Sequence, residues 1–227
     1  MTIGQSPRDD IVNSMFGRDP GPMLQQFGAL DDLAVTEVRN LVPHNGEEVL
    51  VSTLRSGDEV ILAKARLMPH VQCAVDRAVT SGASTVCILC TGNFDAINAR
   101  SATLVTVDQL LLSVVDSLLP RGTLGVLCPH PAQEQGMLTK WRSEGRRVRV
   151  WSLSPYNQAE RGHRFGDDIG AADVDLMIMD CMGFDREMQD DVSSQVNCPV
   201  LLSNGVVGAV LEELLTVGSP VDHALQV

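Results

Sequence analysis

One pattern occurs twice in this chain and constrains everything else. Val86-Cys87-Ile88-Leu89-Cys90-Thr91-Gly92-Asn93-Phe94 and Met177-Ile178-Met179-Asp180-Cys181-Met182-Gly183-Phe184 are each an apolar run ending in Cys-x-Gly, with phenylalanine shortly after. A weaker match pairs Thr2-Ile3-Gly4-Gln5-Ser6-Pro7 with Gly125-Val126-Leu127-Cys128-Pro129-His130-Pro131, each a strand leading into a proline-opened helix. Two such halves put each cysteine at the carboxyl end of a strand, the edge where open α/β sheets hold ligands. Glycine two residues on lets the backbone approach a ligand closely and turn into the next helix. Related by a pseudo-twofold axis, the halves would bring both thiols to one cleft from opposite sides.

The rest of the sequence agrees with a two-domain α/β chain. Short apolar runs alternate with amphipathic stretches, the pattern of βα units and a mainly parallel sheet. Strands are expected at Thr85–Cys90, Leu124–Cys128, Val148–Leu153, Val174–Asp180 and Pro199–Leu202, apolar on both faces as helix-covered strands are. Helices are expected at Leu67–Thr80, Val107–Leu119, Ala132–Glu144, Asp185–Gln195 and Gly205–Leu215. Val49–Leu54 and Glu59–Ala63 flank Ser56-Gly57-Asp58 and read as an inserted hairpin, about 49–63. Leu118-Leu119-Pro120-Arg121-Gly122 marks the seam, giving a first half over 1–120, a second over 121–215 and a tail over 216–227. Thr2-Ile3-Gly4 is short for a sheet member.

Composition narrows the partners. A net charge of −12 argues against a nucleic-acid or anionic-membrane surface, while a local positive pocket for a small anion stays available. Neither a membrane-spanning apolar stretch nor a signal-peptide pattern is present in the sequence. The six cysteines read as free thiols in a reducing cytoplasm. Cys87 and Cys90 have Cys-x-x-Cys spacing but no second pair, and a strand points them to opposite faces. No dinucleotide or phosphate loop and no Gly-x-Ser-x-Gly elbow is present, and Lys64 on the hairpin is poorly placed for a Schiff base. No cofactor or metal is expected. A homodimer is compatible with the sequence.

Thiol chemistry is what these residues can do. A thiolate on one face of a carbon and a thiol on the other can remove and return a proton, inverting the centre. Helix amino ends after each cysteine would lower its pKa from about 8.5 and hold a carboxylate. Sulfurs roughly 6–9 Å apart would serve one carbon. Around them, Ser6-Pro7-Arg8-Asp9 reads as a helix cap or an anion site, with Arg8 suited to a carboxylate. Ser203 and Asn204 follow the last strand and either line the cleft or cap the next helix; His130 ends a second-half strand as a candidate auxiliary acid/base.

The two Cys-x-Gly turns, the first residues Thr2 to Arg8, and Pro199-Val200-Leu201-Leu202-Ser203-Asn204 together resemble the aspartate/glutamate racemase superfamily, and within it the AroM family, over about residues 2–215. The inserted hairpin and Leu67-Met68-Pro69 also look like AroM proteins. The resemblance implies two pseudo-symmetric flavodoxin-like domains with the active site in the interdomain cleft. It implies Cys90 and Cys181 as the catalytic pair of a cofactor-independent racemase or epimerase. Thr91, Gly92, Asn93, Met182 and Gly183 fall in the turns that would hold a small carboxylate. Racemases of this kind read Cys-Asn-Thr and Cys-Thr-His where this chain has Cys-Thr-Gly and Cys-Met-Gly, so the residues that would recognise an α-amino group differ. Single-thiol isomerisation or decarboxylation of a small diacid, and catalytically silent binding of a small molecule, are the alternatives.

Overall fold

The computed structural model describes residues 1–18, 20–157 and 173–217. Its second sheet follows directly from the apolar runs. β5 (Gly122–Cys128), β6 (Arg146–Ser152), β7 (Leu176–Met179) and β8 (Val200–Leu202) pair in the order β6-β5-β7-β8, all parallel. All four residues of β7 are buried, because helices cover both faces. On one face, Leu124 and Val126 meet Trp141 of α5 (Glu134–Trp141); on the other, Leu127, Met177 and Met179 meet Met188 and Val192 of α6 (Arg186–Ser193).

The first half carries β3 (Thr85–Ile88) parallel to β4 (Thr103–Thr106). β4 is a strand that the periodicity did not announce. The short start of the chain is a better sheet member than expected. Leu89 N–H donates to Met1 O at 2.8 Å on one side; Thr2 N–H donates to Phe27 O at 2.8 Å and Ala29 N–H to Thr2 O at 3.0 Å on the other. Flanked on both sides, Met1, Thr2 and Ile3 are buried. The hairpin forms as read, β1 (Val49–Thr53) antiparallel to β2 (Glu59–Ala63), with Val49 opposite Ala63. α3 (Lys64–Thr80) starts three residues before the expected Leu67 and runs through Pro69, burying Leu67, Val71 and Val75 as their spacing requires.

Two helices tie the halves together. α7 (Ser203–Val217) packs on α1 (Asp9–Phe16), and a Cβ at Gly208 would run into the Met15 backbone. α1, α4 (Val107–Leu118) and α7 share one apolar cluster with β5 and α5, so the core crosses the seam. The rest of the tail, past Val217, lies outside the described residues.

Ser6 does not cap α1. The Ser6–Pro7 peptide is cis, the helix begins at Asp9, and Arg8 occupies the cap position without a side-chain cap bond. The Ser6 hydroxyl instead donates to Asp31, whose carboxylate also accepts the N–H groups of Ser6 and Gly28. A short polar side chain beside proline is a local cue for a cap, and a half-buried carboxylate far along the chain outcompetes it.

Candidate active site

Both cysteines end their strands in the same way. Cys90 N–H donates to Ile88 O at 2.8 Å and Cys181 N–H to Met179 O at 3.0 Å, tight turns of the kind found at strand ends. Each sulfur then accepts the N–H of the glycine two residues on, at 3.5 Å for Gly92 and 3.4 Å for Gly183. The backbone thus aims each thiol back over its own turn.

The turns meet across the seam. Thr91 Oγ1 donates to Asp180 O at 3.2 Å, joining the residue after one thiol to the residue before the other. Lys140 fastens the joint: its Nζ donates to Thr91 O at 2.7 Å and to both Asp180 carboxylate oxygens at 3.0 and 2.8 Å. Trp141 Nε1 completes the Asp180 shell at 2.7 Å, and the Lys140 ammonium sits 4.7 Å from the Trp141 ring centre. Asp180 is 1% exposed, so this is a buried charge whose partners are all at hydrogen-bond distance.

What covers each turn explains its glycine. A Cβ at Gly92 would lie 2.8 Å from Leu50 Cδ2 of the hairpin. A Cβ at Gly183 would overlap the Tyr156 hydroxyl and come within 2.6 Å of its Cζ. The Tyr156 hydroxyl stands over Gly183, where it opposes the upward shift of Cys181, and the Arg8 guanidinium carbon is 5.3 Å from its ring centre. Arg8 is buried and bidentate to Asp10, at 2.9 and 2.6 Å.

The electrostatics differ from the expectation. No helix follows Cys90 directly, and α6 begins five residues after Cys181, so neither thiol sits on a helix end. Burial pushes Cys90 up to about 12 and Cys181 up to about 11, and each is a neutral thiol near pH 7. The N–H of the turn glycine opposes burial at both. Tyr156 and Arg8 oppose it further at Cys181 and Lys140 at Cys90, while Cys90 is raised by Cys181 itself. Burial also holds the Tyr156 phenol well above its usual range, leaving it a hydroxyl donor.

The remaining expected residues fall as follows. Asn93 donates to Asp95 and, at 3.2 Å, to Asp108. Ser203 Oγ donates to Met179 O at 2.6 Å, and Asn204 Nδ2 donates to Met182 O and Phe184 O at 3.2 and 2.5 Å, holding the second turn from beneath. Met182 turns its side chain into the shared core. His130 accepts Ala132 N–H on Nδ1 at 3.1 Å, and no described contact joins it to either thiol. Cys87 packs in the shared cluster and Cys90 against the first-half core, on opposite faces as the strand period requires. Among the described residues no three His, Cys, Asp or Glu side chains group as metal ligands would, and no helix is long and apolar enough to cross a membrane.

Reading the sequence missed Lys140, Trp141, Tyr156 and Asp108. Signals existed: Lys140 is one of two lysines, Tyr156 is the single tyrosine, and Asp180 is an acid at the end of an apolar run. A cavity of about 370 Å³ lined by Met15, Phe16, Met23, Phe27, Leu89 and Leu211 lies at α1 and α7, and neither Cys90 nor Cys181 lines it.

The chain has counterparts among known proteins in family and in fold. The family model described as AroM protein matches residues 1–215. No curated protein matches the sequence. A liganded double mutant of arylmalonate decarboxylase superposes with a TM-score of 0.51 at 15% identity, covering 68% of this chain and 76% of that one. Glutamate racemase from Francisella tularensis subsp. tularensis SCHU S4, in complex with D-glutamate, gives 0.48 at 15% identity, covering 67% and 64%. The first of these shows the fold, two flavodoxin-like domains with parallel sheets.

Proposed function

The chain belongs to the AroM family, and from that premise we propose that it is an isomerase of small carboxylates that moves a proton between the thiols of Cys181 and Cys90. The observation that carries this reading is the pairing of two identical thiol turns across the seam, tied by Thr91 and Asp180 and close enough for one thiol to raise the pKa of the other.

In the forward direction the Cys181 thiolate takes the proton from the carbon next to the carboxylate. The Cys90 S–H then delivers its proton to the opposite face. The centre is inverted, Cys181 ends as thiol and Cys90 as thiolate, and the reverse reaction resets them. Tyr156 would assign the roles, because its hydroxyl over the second turn favours charge on the Cys181 sulfur. The backbone N–H groups beside Gly92 and Gly183, whose own N–H groups the sulfurs hold, would face the carboxylate and stabilise the negative charge that develops on its oxygens. Both thiols start neutral, so Cys181 releases its proton to bulk water before the first transfer.

The test is deuterium wash-in from D₂O, followed by proton NMR over amino acids, hydroxy acids, hydantoins and small diacids. The expected result is exchange at the carbon next to the carboxylate in the wild type and its loss in both Cys90→Ala and Cys181→Ala. The unequal surroundings of the two sulfurs favour one second reading, in which Cys181 alone protonates an enolate left by decarboxylation or isomerisation. Turnover that survives Cys90→Ala but not Cys181→Ala selects it. A well-folded protein silent on the whole panel would move the reading to a binding protein.

A further inference from the structure

The acidity of the chain is unevenly spread. Between residues 121 and 149 there are five arginines and one lysine against two acids, Glu134 and Glu144, in a chain of net charge −12. The fold gathers most of these arginines at one place. A cleft of about 480 Å³ at the amino ends of β5 and β6 is lined by Thr123, Arg142, Ser143, Arg146, Arg147 and Arg149. The thiol turns follow the carboxyl ends of β3 and β7, and neither cysteine lines this cleft.

Arg146 is the fixed member of the group. Its side chain is buried, Nη1 pairs with Asp116 at 2.7 Å, and Nε donates to Trp141 O at 2.9 Å. Arg142, Arg147 and Arg149 are exposed, and no ion pair among the described residues includes them. Arg147 Nη2 donates to Thr123 Oγ1 at 3.0 Å, which orients the guanidinium and leaves its other N–H groups to a ligand. Arg149 stands two residues on along β6, on the same face and about 7 Å away. Exposed Arg121 packs over the neighbouring turn, where a Cβ at Gly145 would lie 3.0 Å from its Cγ. Carboxylates stay out of the cleft. Asp116 is taken by Arg146, and neither Glu144 nor Asp175, which accepts Thr123 N–H at 2.8 Å, lines it.

β6 is the outer strand of its sheet, and charge on an edge also deters a second chain from pairing there. That role needs no cleft, does not involve Arg142 at the end of α5, and is ordinarily met by lysine. Four arginines without a lysine are forked donors, suited to gripping phosphate oxygens two at a time. We infer that this cleft binds an anion carrying two or more adjacent phosphate groups, held by Arg142, Arg147 and Arg149 with Arg146 as their support. Three unpaired guanidiniums exceed the charge of a single phosphate monoester, roughly −1.5 to −2, and suit a pyrophosphate or longer chain, free or on an organic carrier. The inference is independent of the thiol reading.

The experiment is isothermal titration calorimetry of the full chain at low ionic strength, where surface charge acts at full strength. The probes are phosphate, pyrophosphate and tripolyphosphate, with ADP beside pyrophosphate and tricarballylate as a carboxylate of comparable charge. Saturable binding is expected to tighten along the phosphate series and to exceed that of tricarballylate. The double variant Arg147→Gln/Arg149→Gln should weaken tripolyphosphate by at least about tenfold per arginine, the worth of a charge-assisted hydrogen bond. Arg142→Gln alone should weaken it by about tenfold, and circular-dichroism melts check that each variant folds. Arg39→Gln/Arg186→Gln removes the same charge from two other exposed arginines and should leave binding within about twofold, since surface charges beyond a Debye length are screened. ADP tighter than pyrophosphate would assign a nucleotide, and the reverse order the inorganic anion; either supports the phosphate site. Absence of saturable tripolyphosphate binding, tricarballylate binding as tightly, or equal losses in the two double variants overturns it.

Discussion

The turn at Cys90 and the turn at Cys181 share a backbone and differ in what lies on top of them. In both, the cysteine N–H bonds back two residues and the glycine N–H bonds the sulfur. Over Gly92 lies an aliphatic side chain, Leu50, from the inserted hairpin; over Gly183 lies a phenol, Tyr156, from the segment after β6. The second cover brings a hydroxyl to the sulfur with a guanidinium behind it, and Cys181 is pushed up to about 11 where Cys90 reaches about 12. Local sequence therefore sets where the sulfurs sit, and the covering element sets what each sulfur faces. Pseudo-symmetry of the halves is broken at the roof of the site, not at its floor.

The largest way to break this comparison is to cut what the two turns share. Lys140→Met leaves Asp180 buried without its countercharge and is expected to cost about 3–5 kcal/mol in urea denaturation. Adding Asp180→Leu to it should recover much of the loss, because the orphaned charge is gone. Next comes the space above each glycine. Gly92→Ala forces Leu50 aside and should destabilise by about 1–3 kcal/mol, relieved when Leu50→Ala is combined with it. Gly183→Ala must displace Tyr156, so its signature is a rise in the alkylation midpoint of Cys181 toward that of Cys90. Tyr156→Phe sharpens the point without crowding: Cys181 alkylation below its midpoint should slow roughly tenfold per unit of pKa, with Cys90 unmoved.

The smallest effect is on stability against pH. Both thiols are raised by burial in the folded state, so the unfolded chain releases those protons first. Stability is then complete below about 8.5, the ordinary thiol value. It declines as pH climbs toward about 11 and about 12, where the folded thiols also ionise. Thermal melts of Cys181→Ala against wild type from pH 7 upward should show a shallower decline for the variant.

Most of the floor was legible in advance. The cysteines, their glycines, the hairpin and the order of strands and helices follow from residues within a few positions of one another, where apolar period and turn chemistry act. The sequence alone determined that two strands end in thiols and that a backbone turn must follow each. What it left open depends on partners far apart in the chain. Asp31 draws Ser6 away from the helix cap expected of it, and Lys140 reaches Asp180 forty positions on. Tyr156 meets Arg8 and Cys181, and β4 earns its place only by pairing with β3. The expectation of lowered thiol pKa values failed for the same reason, since a helix end can be guessed from sequence but the depth of burial cannot. Only the tertiary structure decided the roof of the site and the Lys140–Asp180 clamp beneath it. Burial and charge at a point are sums over whatever packs there, and a linear sequence fixes the neighbours along the chain but not those brought in by the fold.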